Sequence, residues 1–93
     1  MDDAIRAHVI VIGRVQGVCF RMETQSAANR YGVSGWVKNN WDATVEAVFE
    51  GKKEDVASIV AWCRKGPPGS IVKKLELEYE EYTGKEKGFR ITY

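Results

Sequence analysis

The sequence predicts an α+β two-layer sandwich, with two helices on one face of an antiparallel sheet. Three observations lead there. Short runs that are β-branched throughout, or that alternate apolar and polar residues, recur near residues 6–13, 33–40, 45–49 and 75–80. Two other segments, 20–31 and 56–63, repeat apolar residues at helical spacing. The chain has 93 residues, 44% hydrophobic and 29% charged. That length suits one small domain over residues 1–93, and the composition excludes disorder as the main state.

The elements follow in order. Val9 to Ile12 is β-branched and bounded by Gly13, which predicts a first strand near 6–13. A loop with two glycines, Gly13 to Gly17, comes next. Phe20, Thr24, Ala27, Ala28 and Tyr31 then share one helical face, and Gly32 stands where a left-handed C-cap belongs. Residues 33–40 read as a second strand, and Asn40 and Asp42 as a turn. Val45, Ala47 and Phe49 alternate with Thr44, Glu46 and Glu50, a half-buried third strand that Gly51 is expected to break. Val56, Ile59, Val60 and Cys63 make the stripe of a second helix. Its first turn carries Glu54 and Asp55 and its last carries Arg64 and Lys65, both favourable to the helix dipole. Gly66-Pro67-Pro68-Gly69 ends it. Leu75, Leu77 and Tyr79 alternate with glutamates as an edge-like fourth strand, and Phe89 to Tyr93 forms a short last one. The order β-α-β-β-α-β plus a short strand is the ferredoxin-like pattern.

Several function classes fall away. Apolar runs such as Val9–Ile12 are too short to span a membrane. The acidic start Met1-Asp2-Asp3 is unlike a signal peptide, so a cytoplasmic location is expected. Cys19, Cys63 and the single His8 suit neither a disulfide framework nor a zinc site. A net charge of +1 is low for a nucleic-acid binder, and the first and third strands lack the aromatic platforms that single-stranded RNA needs. The charge is nevertheless uneven. Residues 4–41 hold Arg6, Arg14, Arg21, Arg30 and Lys38 against Glu23 alone, whereas residues 75–82 hold four glutamates and no base. One end of the chain can attract an anion that the other repels.

The loop Gly13-Arg14-Val15-Gln16-Gly17-Val18-Cys19-Phe20-Arg21 reads as an anion site. Its glycines allow successive N–H groups to face inward, and it ends at a helix N-terminus with unpaired donors. Arg21 sits in the first helical turn, where a cation opposes the dipole, so a fork for phosphate or carboxylate is its expected role. A tight surface turn with a solvated arginine is the competing reading. The loop is not a P-loop, because the Gly-Lys-Ser/Thr ending is missing.

This segment resembles the first signature of the acylphosphatase family. Gly35-Trp36-Val37-Lys38-Asn39-Asn40-Trp41-Asp42-Ala43-Thr44-Val45-Glu46 resembles the second. Length, element order and the Phe89–Tyr93 ending match as well, so the resemblance spans essentially the whole chain. It implies hydrolysis of the carboxyl–phosphate bond of acyl phosphates without metal or cofactor. Arg21 and the N–H groups of Val15, Gln16, Gly17, Val18, Cys19 and Phe20 would hold the phosphoryl oxygens, and Asn39 would hold the attacking water. The expected partners are a small acyl phosphate and inorganic phosphate as product and inhibitor, with no nucleic acid and no membrane. The protein is expected to be a monomer. A non-enzymatic phosphate or carbamoyl-phosphate binding module is the alternative, since similar domains occur inside larger carbamoyl-transfer proteins.

The chain departs from the family pattern at Ala43, where the family usually has glycine, and a positive φ is expected there. Cys19 is read as a space-filling residue, with a reactive thiol as the alternative. His8 is expected to be structural or superficial. Trp36 and Trp41 are expected to pack, and Trp62 to be partly exposed. The carboxylate of Tyr93 could pair with Arg21.

Overall fold

The structure, a computed structural model, describes residues 3–93. Met1 and Asp2 of the acidic start lie outside the described residues. The elements are β1 (Ala4–Arg14), α1 (Phe20–Tyr31), β2 (Ser34–Asn39), β3 (Val45–Lys52), α2 (Lys53–Lys65), β4 (Ile71–Glu80) and β5 (Phe89–Ile91). They form one five-stranded sheet in the order β4-β1-β3-β2-β5, with both helices packed against it. Among the described residues no helix is long and apolar enough to cross a membrane.

Ala7, Val9 and Val11 of β1 and Val45, Ala47 and Phe49 of β3 point to the helices and are buried. Opposite them lie Phe20, Thr24, Ala27 and Ala28 of α1 and Val56, Ile59, Val60 and Cys63 of α2. These are the two predicted stripes, so the sequence periods and the core agree. Phe49 stacks on Phe89 at 5.5 Å, and Trp62 meets the Phe20 ring edge-on at 5.9 Å, half-buried as expected. Burial pushes the Cys63 thiol up to about 12, which leaves it as an inert packing group. Helix α1 stops where Gly32 turns left-handed at φ 72°, and the Val33 N–H reaches back to the Ala28 carbonyl at 3.0 Å.

Three expectations need correction. The sheet is mixed, because β5 runs parallel to β2, with Gly35 opposite Phe89 and Val37 opposite Ile91. The fourth strand ends at one edge of the sheet and the fifth lies at the other, so the intervening chain must cross it. Gly51 does not break the third strand, which runs on to Lys52. Central strand β1 reaches back to Ala4 and pairs with β3 through Gly51 and Lys52, and this pairing outweighs glycine's weak strand preference. Glu50 is not on a solvated face but 2% exposed.

The crossing chain explains Glu50. Strand alternation puts Arg6 and Glu50 on the face away from the helices. There the Glu50 carboxylate accepts from the N–H and hydroxyl of Thr83 at 2.9 and 2.7 Å and from the Gly84 N–H at 3.1 Å. Arg6 donates to it at 2.9 Å and also reaches Glu80 and Glu86, both at 3.2 Å. Burial pushes the Glu50 carboxyl up, but the bonds from Thr83, Arg6 and Gly84 outweigh it and hold the group below its ordinary value. His8, on the same face, lies 2.6 Å from Glu46.

Residues 40–44 join β2 to β3 in a tight hairpin turn. The Ala43 N–H donates to Asn40 O at 3.3 Å, and Ala43 has φ 72°, the left-handed conformation expected of it. Ala43→Gly should therefore stabilise the protein by about 1 kcal/mol, less the added freedom of glycine in the unfolded chain. Turnover should change little. Urea midpoints of the two proteins check this, and a lower midpoint for the glycine variant would contradict it.

Candidate active site

The loop between β1 and α1 begins where β1 passes very close to β4. A Cβ on Gly13 would lie 2.1 Å from the Ile71 carbonyl oxygen, so only glycine fits there. Beyond it, Gly17 at φ 77° and Cys19 at φ 59° flank Val18, whose φ is negative. Alternation of hand turns successive N–H groups toward one concave side. Helix α1 then starts, with the Cys19 carbonyl accepting from the Glu23 N–H at 3.0 Å. The N–H groups of Phe20, Arg21 and Met22 have no acceptor within the helix, and Cys19 gives no side-chain cap. The result is an array of donors at the positive end of a helix dipole.

Arg21 and Asn39 line one cavity of about 400 Å³ with this loop. Of the predicted loop residues, Val15, Gln16, Gly17, Cys19 and Phe20 line it as well. Val18 does not; its side chain packs against the core. Cys19 is exposed rather than space-filling. Asn39 ends β2, opposite Val45. Sheet pairing thus brings a residue 18 positions from Arg21 to the same cavity. Among the described residues no carboxylate pairs with Arg21; its guanidinium lies 5.4 Å from the centre of the Tyr93 ring. The ring, rather than the Tyr93 carboxylate, is the neighbour.

Met22 and Ile91, to which the sequence did not point, complete the wall together with Tyr93, which was expected near Arg21. The parallel pairing of β5 carries Ile91 and Tyr93 to the cavity. Gln25 ties β5 to α1 through the Phe89 carbonyl at 3.1 Å, and the Thr92 N–H bonds Val37 O at 2.9 Å. Of the two tryptophans, Trp36 is half-buried, but Trp41 at the hairpin tip is fully exposed, against the expectation of packing.

The turn after Asn39 is held by its own polar groups. The Asn40 N–H bonds Thr44 O at 2.9 Å, and the Asn40 carboxamide bonds the Thr44 hydroxyl at 3.1 Å. That hydroxyl and the Thr44 N–H donate to Asp42, at 2.6 and 3.2 Å. These two bonds hold the Asp42 carboxyl below its ordinary value. The cavity itself is lined by no aspartate, glutamate or histidine among the described residues. Its polar lining is the Arg21 guanidinium, backbone N–H groups, the neutral amides of Gln16 and Asn39, the Cys19 thiol and Tyr93. Such a set suits a phosphoryl group and a water, with no side-chain carboxylate or imidazole to take a proton.

Comparison with known proteins shows the family. The acylphosphatase family model matches residues 7–91. The chain is 50% identical over 88 residues to an acylphosphatase of Pelotomaculum thermopropionicum, a match covering 95% of this chain and 96% of that one. The crystal structure of acylphosphatase from Bacillus subtilis superposes with a TM-score of 0.92 at 35% identity, covering 96% of this chain and 99% of that one. Full-length HypF, in a phosphate- and nucleotide-bound form, contains a similar unit with a TM-score of 0.88 at 25% identity, covering 97% of this chain but 12% of that one. Sequence signatures, sheet order and whole-length matches all agree, and the chain belongs to the acylphosphatase family of enzymes.

Proposed function

We propose that this enzyme hydrolyses the carboxyl–phosphate bond of acyl phosphates in the cavity between the Val15–Arg21 loop and the end of β2. The N–H groups of the loop and the Arg21 guanidinium hold the phosphoryl oxygens and stabilise charge on them in the transition state. Asn39 accepts one hydrogen bond from a water, or donates one to it, and aligns it opposite the leaving group. The water oxygen bonds to phosphorus as the bond from phosphorus to the acyl oxygen breaks. That electron pair leaves with the carboxylate, a good leaving group that needs no strong general acid. The water proton passes to a phosphoryl oxygen. Inorganic phosphate, the other product, fits the same donors and inhibits competitively. In this reading the protein acts as a monomer in the cytoplasm.

The observation that carries the reading is the meeting of Arg21, Asn39 and the uncapped helix N-terminus at one cavity. A chromogenic acyl phosphate, assayed with a chelator present, tests it. Activity should persist undiminished, because the cavity offers no set of metal ligands. The rate should also be flat across the neutral range, since neither Arg21 nor Asn39 changes charge there. Loss of activity on dialysis, restored by a divalent cation, would overturn the first expectation. A bell-shaped profile centred near neutrality would overturn the second.

The likeness to a small part of HypF favours one other reading, a module that binds phosphate or carbamoyl phosphate without turning it over. Tight phosphate binding with no phosphate released from any acyl phosphate would select it.

A further inference from the structure

Gln16 belongs to the phosphate loop, but its side chain leaves it. The carboxamide nitrogen donates to the Asn40 carbonyl at 3.0 Å and to the Thr44 carbonyl at 2.9 Å. Among the described residues no other hydrogen bond joins residues 15–19 to residues 39–44. The receiving turn is itself stiff. Thr44 O is shared with the Asn40 N–H, and Asp42 and Ala43 close the remainder through the bonds given above. The clamp therefore acts between two bodies: the loop that holds phosphate, and the turn that follows Asn39.

We infer that Gln16 is a positioning residue for the reaction: its carboxamide sets where the water held by Asn39 stands relative to the phosphorus held by the loop. The inference rests on the roles of Arg21 and Asn39 proposed above. The chemistry of the clamp is specific. Two carbonyl oxygens accept and cannot donate, and a primary amide supplies two N–H donors from one nitrogen. Methionine has similar length and no donor. An ionised glutamate has no donor and faces two partial negative charges, whereas a protonated one regains a single donor. Neither change removes the Gln16 backbone N–H from the loop. Loss of the clamp should therefore misplace the water while leaving phosphate binding intact.

The test uses the full chain and four variants: Gln16→Met, Gln16→Glu, Asn39→Ala and the double variant Gln16→Met with Asn39→Ala. Thermal melts check that each folds. Gln16→Met should lower kcat by about 10- to 100-fold, the scale of a misplaced reactive group, with the inhibition constant of inorganic phosphate within about 3-fold of the parent. In the Asn39→Ala background the same change should cost less than about 2-fold more, because the water it positions is no longer held. For Gln16→Glu, the ratio of its kcat to the parent's should rise as pH falls through the ordinary carboxyl range near about 4.3. That ratio carries the test if the methionine variant does not fold. A parent-like kcat in Gln16→Met, an equal loss in both backgrounds, a joint loss of phosphate inhibition, or a pH-independent ratio for Gln16→Glu each overturns the inference. If Asn39→Ala itself keeps full turnover, the reading of Asn39 fails, and this inference falls with it.

Discussion

Arg21→Ala should lose turnover and competitive inhibition by inorganic phosphate together, whereas Asn39→Ala should lose about 10²-fold or more in turnover and keep the inhibition. The two residues share a cavity but are asked to do different work. In the proposed mechanism Arg21 contacts phosphate in the ground state and in the transition state, so its removal should act on both binding and chemistry. In the same proposal Asn39 contacts only the water, so its removal should act on chemistry alone. Both folds should survive, since Arg21 and Asn39 are partly exposed and neither belongs to the core. Steady-state rates with and without phosphate separate the cases. Persistent phosphate inhibition in Arg21→Ala, or its disappearance in folded Asn39→Ala, would reverse the assigned roles.

Glu50→Ala should strongly destabilise the protein. Glu50 is buried, and its carboxylate serves the Thr83 N–H and hydroxyl, the Gly84 N–H and Arg6 at once. Removing it leaves those donors without their acceptor and loosens the chain that crosses the sheet to β5. The expected cost is about 3 kcal/mol, the lower end for breaking a buried pair, because Arg6 keeps Glu80 and Glu86. For a domain of this size that is a fall of roughly 12–24 °C in Tm. The charge also makes part of the stability depend on pH. The folded-state carboxyl is held below its ordinary value, so its contribution is fully present above the unfolded value near about 4.3. It is lost as pH falls through the lower folded value. Denaturation midpoints from pH 7 downward should therefore drop more for the parent than for Glu50→Gln. A loss under about 1 kcal/mol in Glu50→Ala would show that the crossing chain is held elsewhere.

Much of the fold was legible because periodicity reports burial directly. The stripes of α1 and α2, and the inward residues of β1 and β3, are local patterns that do not depend on the partner. The glycine-rich loop ending at a helix was equally local, and so was Arg21 in a first turn that disfavours it. Ala43 was legible through the resemblance, since a turn that takes glycine in relatives pointed to the left-handed φ that it has. Trp41 was misread because a large aromatic side chain suggests packing, and nothing local says that a hairpin tip projects into solvent.

By itself the sequence determined the two layers, the element order, the glycine-rich loop that ends at a helix and, through two long signatures, the family. Each of these follows from residues close together in the chain, where φ/ψ preference, strand or helix period and turn chemistry act without knowledge of the whole. Only the tertiary structure decided the rest. Parallel pairing of β5 with β2 put Ile91 and Tyr93 beside Arg21. The chain crossing the open face turned Glu50 from a strand's polar residue into a buried anchor. The approach of the loop to the β2–β3 turn turned the Gln16 side chain from a phosphate-loop neighbour into a clamp behind Asn39. All three depend on contacts between residues 24 or more positions apart. Such pairings join segments far apart in the chain, so no local pattern of residues records them.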